Sequence, residues 1–259
     1  LSRLLGSYRS FPADYHNRIS WKTVERTAAI LSAAKKRFVS KWVSEECGVS
    51  TTLTKWNHRY INGCPFCLSP NENTEHVLCC PHESANRLWC EQLSSLDTKL
   101  RRLHTQPNLH KLIISRLRTW HDNTEEVNFM VERDIATAIA HQTVIGWKAF
   151  LEGIIFDDIL QIQTEYYKEL QRRSTGLSWA TKLSNFMWEM IHTLWMERNE
   201  QLHKTERIHE LHGKQQLLQD IRLEHEIGRG TLPVHMNGYF NVTLERLLRK
   251  SIQEQVAWL

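Results

Sequence analysis

The sequence predicts a mostly α-helical protein, an irregular multi-helix array with no sheet. Three observations lead there. Apolar residues recur at spacings of three and four through most of the 259 positions, which is the period of one helical face. Only 10 Gly and 6 Pro punctuate the chain, too few for a turn-dense β-barrel. No stretch sustains the apolar–polar alternation of a half-buried strand. The 41% of hydrophobic residues offsets the entropy of ordering, which excludes a disordered chain.

Taken in order, the first helix is expected over 20–47, with Ser20 as N-cap and Gly48 as the left-handed stop. Its apolar stripe is Val24, Ala28, Leu31, Phe38 and Trp42. A short helix follows over 50–56. Trp89, Leu93, Leu96, Leu100 and Leu103 step by four and three and mark the next one. Pro107 suits the first turn of its successor, which faces inward with Leu109, Leu112, Ile113, Leu117 and Trp120. A long helix is expected over 126–151, broken by Gly153, and another over 157–172. The most apolar helix, 178–203, presents Trp179, Leu183, Phe186, Met187, Met190, Ile191, Leu194 and Trp195. Helices at 211–227 and 242–258 close the chain, with Gly228, Gly230 and Pro233 in the loop between them.

The longest uncharged stretches, 135–147 and 231–244, fall short of the ~20 apolar residues that span a bilayer, so no membrane partner is expected. The chain begins at Leu1 and reads as a piece of a longer polypeptide. Its net charge of +4 is unevenly spread: +7 over 1–67, +1 over 68–122 and −4 over 123–259.

Six Cys in 259 residues are too few for a disulfide-stapled secreted domain, and four of them lie within seventeen positions. A reducing intracellular setting, nucleus or cytoplasm, is the expectation. Cys64 and Cys67, two residues apart, can wrap one ion on a tight turn. His76 and Cys80, four apart, share a helical face. Together they supply four ligands for a tetrahedral Zn2+ with no open position, hence a structural rather than a catalytic zinc. Cys79 is an alternative fourth ligand.

Cys64-Pro-Phe-Cys67, then Glu72, Thr74, His76-Val-Leu and Cys80-Pro81, resembles the zinc-binding domain of reverse-transcriptase-type (non-LTR retrotransposon-like) retroelement proteins. Trp195-Met-Glu-Arg198-Asn199, with His203 beyond, is similar to the Trp-x-x-Arg-Asn helix downstream of that knuckle. The segment from Lys41-Trp42-Val43 to Lys55-Trp56 is similar to the one that leads into it. Two departures stand out: Asn73 separates Glu72 from Thr74, and one residue separates Thr74 from His76. The resemblance implies a position C-terminal to a polymerase or ribonuclease H region, with upstream domains of a parent polyprotein as partners. It brings no active site. The chain has no paired-Asp strand, and Asp157-Asp158 suits an ordinary helix N-terminus.

Lys35, Lys36, Arg37, Lys41, Lys55 and Arg59, interleaved with Trp42, Trp56 and Tyr60, suit an RNA or DNA surface on which cations neutralise phosphate and rings stack on bases. Trp195, Arg198, Asn199 and His203 share one side of a helix and read best as a structural polar cluster, with Arg198 stacked near Trp195. The expected organisation is a basic helical segment over 1–60, a zinc knuckle over 61–82 and a helical array over 83–259. The expected function is a non-catalytic nucleic-acid-binding module without a small-molecule substrate. The alternative is a zinc-stapled helical scaffold that binds protein instead.

Overall fold

A computed structural model of the chain describes residues 13–56, 63–125, 130–231, 241–251 and 254–255. These form twelve helices: α1 (Ala13–His16), α2 (Trp21–Ile30), α3 (Ala33–Val43), α4 (Ser50–Trp56), α5 (Thr74–Leu78), α6 (Glu83–Arg102), α7 (Pro107–Asp122), α8 (Arg133–Ile145), α9 (Trp147–Leu151), α10 (Asp157–Glu169), α11 (Gly176–Thr231) and α12 (Leu244–Leu248). The only β pairing among the described residues is the isolated bridge Ile19–Phe156. The mostly α-helical class holds. No described helix is long and apolar enough to cross a membrane.

Several boundaries differ from the sequence expectation, each for a local reason. The helix expected over 20–47 is two helices. Leu31 and Ser32 are extended, and the Ser32 hydroxyl accepts a bond from the Lys35 N–H, which restarts the helix as α3. Ser20 makes no such cap bond. The left-handed residue after α3 is Glu45 at φ 58°, not Gly48. The run expected over 126–151 breaks first at Gly146, whose φ of 92° no helix interior allows, and again at Gly153 with φ 82°. The helices expected at 178–203 and 211–227 are one, and it continues through Gly228 and Gly230, which had been expected in a loop. A glycine costs a helix about 1 kcal/mol but does not forbid it.

Two compact units divide the chain, 1–198 and 199–259. The expected segments 1–60 and 61–82, with most of 83–259, lie together in the first. In that unit α6 packs on α7, α7 on α8, and α8 on both α9 and α10. Its centre is the stretch from Trp147 to Leu160. There Phe150, Leu151, Ile154, Ile155, Phe156 and Ile159 have no exposed surface. The extended part of that stretch has its backbone satisfied by buried Gln142, which donates to the Ile154 carbonyl (3.0 Å) and accepts from the Phe156 N–H (3.3 Å). The α6–α7 turn is held in the same way. Gln163 donates to the His104 carbonyl and accepts from the Gln106 N–H, while the Trp179 indole donates to the Thr105 hydroxyl. In the second unit, Ile221 of α11 and Leu247 of α12 are buried, and His225 lies 3.2 Å from the Val242 carbonyl.

Candidate metal centre

The metal-ligating candidates sit on two short pieces of backbone. In the first, Cys64 donates its N–H to the Ser69 carbonyl and accepts from the Leu68 N–H, both at 2.9 Å, closing a tight turn over Pro65-Phe66-Cys67. Leu68 (φ 59°) and Asn71 (φ 62°) then reverse the chain. In the second, the Asn73 side chain caps α5 by accepting the His76 N–H at 2.8 Å. The helix ends at Leu78, and Cys79 and Cys80 follow in non-helical backbone.

The outcome is a cluster of Cys64, Cys67, His76 and Cys80 whose ligand atoms all lie within 4.8 Å of one another, a set that can hold a metal ion. Cys64 Sγ and Cys80 Sγ are 3.7 Å apart, and Cys67 Sγ is 3.3 Å from His76 Nε2. The first distance is far beyond a disulfide bond of about 2.05 Å. All six cysteines are free thiols. Cys64 and Cys80 are buried with Ala85, and Phe66 packs beside them with its ring 5.6 Å from that of His82. Cys79 is not part of this cluster. It packs against the main hydrophobic core, and burial pushes its thiol up to about 12.

The Cys64 thiol is held well below the usual range because the Cys80 thiol and His76 donate to its thiolate. The Cys80 thiol is correspondingly pushed up by that same bond, and burial raises Cys67. His76 is raised by its bond to the Cys64 thiolate. Three cysteine sulfurs and an imidazole whose ligand atoms lie within 4.8 Å of one another are a donor set that a soft cation satisfies as it displaces the protons.

Behind the cluster lies a buried ion pair. Glu72 has no exposed surface and Arg198 only 1%. Arg198 Nε donates to Glu72 Oε1 at 2.9 Å and its Nη2 to Oε2, while Nη1 donates to the Gly48 carbonyl at 3.2 Å. Glu72 Oε2 also accepts the Ser50 N–H at 2.9 Å, and the Ser50 hydroxyl accepts the Gly63 N–H next to Cys64. Thr74, buried at the start of α5, accepts from Lys148 Nζ at 2.8 Å, and Lys148 also pairs with Glu45. The resemblance gives Glu72 no role, and no motif or spacing in the sequence marks Lys148. The only sequence signal for the pair is that an Arg in the middle of so apolar a helix needs a partner when buried.

The other site residues separate into groups. Arg198 lies over the Trp195 ring at 5.3 Å, as the structural reading of that cluster expects. Asn199 is half-buried and His203 exposed, both in the second unit. Lys36, Arg37, Lys41 and Lys55 are exposed and make no ion pair with a described residue. Lys35 instead pairs with Glu189 at 3.2 Å. Trp42 is fully buried, edge-on to Trp195, so its ring is a core element and not a stacking platform. Arg59 and Tyr60 lie outside the described residues, as does the Trp56 side chain. Asp157 and Asp158 begin α10, where Asp158 bonds Arg18 at 2.6 Å and His141 at 3.0 Å. No family model, no curated protein and no solved structure matches the chain.

Proposed function

We propose that the chain is a non-catalytic nucleic-acid-binding module from the C-terminal part of a retroelement reverse-transcriptase-like protein, built on one structural zinc ion. The observation that carries this reading is a Cys3His set with its ligand atoms within 4.8 Å of one another, in a chain that also exposes Lys36, Arg37 and Lys41 on α3. Zinc–sulfur bonds of 2.3 Å and zinc–nitrogen bonds near 2.05 Å give tetrahedral edges of about 3.8 Å for S–S and about 3.6 Å for S–N. The Cys64–Cys80 and Cys67–His76 distances of 3.7 Å and 3.3 Å are close to these, and all four ligand atoms lie within 4.8 Å of one another. Three thiols and an imidazole select zinc over magnesium or calcium. Four protein ligands leave no place for an activated water, so the metal holds the fold. The resemblance supports the same reading from another side, since Glu72, Thr74 and Arg198, all part of its motifs, anchor the knuckle.

Lys36, Arg37 and Lys41 on α3 carry the nucleic-acid contact. The 44–49 segment joins α3 to the knuckle's anchor, where the Gly48 carbonyl takes a bond from Arg198. With Trp42 buried, α3 offers phosphate neutralisation without base stacking. Binding is therefore expected to be sequence-independent and salt-dominated. Purified protein carries one zinc per chain, and a Cys64→Ser, Cys67→Ser double variant loses it. Anisotropy of labelled RNA and DNA oligonucleotides shows affinity falling steeply with salt. Lys36→Glu, Arg37→Glu and Lys41→Glu together weaken it by about tenfold or more and flatten the salt slope. Unchanged affinity in the triple variant rejects the nucleic-acid reading. A protein-binding scaffold then takes precedence. The observation that favours it is the cleft of about 600 Å³ between α8 and α10, lined by Glu132, Asp134, Glu165 and Glu169 together with Arg133 and Ile162.

A further inference from the structure

We infer that Arg198, 126 positions from Glu72 in the chain, is a positioning residue for the metal centre, so that metal binding and the seating of α11 on the knuckle are one coupled event. This rests on the metal half of the proposed function and not on the nucleic-acid half.

The geometry behind it is a single buried node with two arms. One arm runs through Glu72 itself. Its backbone carbonyl accepts the Thr51 N–H (3.1 Å) and hydroxyl (2.9 Å), and its carboxylate is held by two nitrogens of Arg198. The next residue, Asn73, caps α5 and fixes the His76 backbone. The other arm runs through Ser50. Its N–H donates to the Glu72 carboxylate, and its hydroxyl accepts the N–H of Gly63, which precedes Cys64. Both ligand-bearing segments, 63–67 and 73–80, therefore hang from the same carboxylate.

Arg198 is the only described cation bonded to that carboxylate, and the site is closed to water. Without it, Glu72 is an uncompensated buried charge, and the least costly response is for residues 71–73 to swing toward solvent. A swing of 71–73 moves the Asn73 cap and with it His76. The four ligands then have to be gathered at the moment of binding instead of being presented together, which weakens affinity. Supporting residues of this kind, which touch a ligand's neighbour and not the ion, commonly tune affinity strongly.

The test uses the full chain and Zn2+ alone, with affinity read by competition against a chelator of known strength. Arg198→Met and Glu72→Gln are expected to weaken zinc binding about tenfold or more. Arg18→Ala, which removes an ion pair to Asp158 in the same unit, leaves it within about twofold. Zinc affinity in Arg198→Met equal to wild type overturns the coupling. Should Arg198→Met fail to fold, hydrogen exchange of the wild type decides. Stripping zinc then accelerates exchange at the Ser50 amide, which donates to Glu72. It does not accelerate the Ser20 amide, which donates to the Ile155 carbonyl at 2.8 Å. Equal Ser50 exchange with and without zinc overturns the inference. A wild type that binds no zinc removes the metal reading and this inference together, whereas zinc bound equally well by Arg198→Met removes this inference alone.

Discussion

Cys79 and Cys80 are adjacent thiols with opposite fates, and the divide between them is the end of α5. Both residues follow the last helical turn in non-helical backbone, Cys79 at φ −113° and ψ 25°. Cys79 meets the main core, and Cys80 the candidate metal cluster. Cys79→Ala is expected to keep one zinc per chain and to lose about 1 kcal/mol, the ordinary loss for trimming a small buried group. Cys80→Ala loses the metal. Metal content together with a urea midpoint for each variant checks both. The spacing of His76 and Cys80 suggested the right residue by a helical-face argument, but the helix stops two residues short of Cys80. The residue identity was legible in the sequence, whereas the geometry that delivers it was not.

Elements meet where glycine permits it. A Cβ on Gly176 would stand 1.9 Å from the Leu160 carbonyl oxygen and 2.6 Å from the Thr164 hydroxyl, so the start of α11 lies directly on α10. Gly176→Ala forces those helices apart and is expected to lose roughly 2 kcal/mol or more. At Gly146 nothing lies within 4 Å of the added carbon, but the φ of 92° remains. With ψ at 155° the backbone sits in a region that is essentially glycine's alone, so Gly146→Ala loses about 1–3 kcal/mol from strain. Thermal or urea unfolding ranks the two, with Gly176→Ala the less stable. Helix existence was readable from periodicity nearly everywhere. Breaks were not, because Ser32 and Gly146 interrupt runs whose apolar period continues across them, while Gly228 and Gly230 fail to interrupt one. A capping hydroxyl or a glycine offers the chain an alternative, and tertiary packing decides whether it is taken.

At the scale of the whole molecule, the first unit buries thiols that must stay protonated. Burial pushes Cys47 from 9.0 up to about 12, against the lowering effects of Lys41 and Arg198. A raised folded value means that the native state keeps a proton which the unfolded chain releases. The resulting stability is complete below pH 9 and is lost progressively as pH rises toward 12, by up to about 1.4 kcal/mol per pH unit. Stability measured between pH 8.5 and pH 10.5 is expected to fall in the wild type and to fall less steeply in Cys47→Ala. Equal slopes would show that Cys47 titrates normally in the fold.

Two kinds of information separate cleanly in this protein. The helical class and the candidate ligands Cys64, Cys67, His76 and either Cys80 or Cys79 were legible in the linear chain. Helical period and Cys-x-x-Cys spacing are local properties, set within a few residues of each other. Folding alone brings Cys80 rather than Cys79 into the cluster, pairs Lys35 with Glu189, buries Trp42 in the core and joins Glu72 to Arg198. Each of these depends on which residue, more than a hundred positions away or just across a helix end, arrives to satisfy a buried charge, thiol or ring. Burial makes such pairings obligatory, yet the linear chain carries only half of each pair at a time.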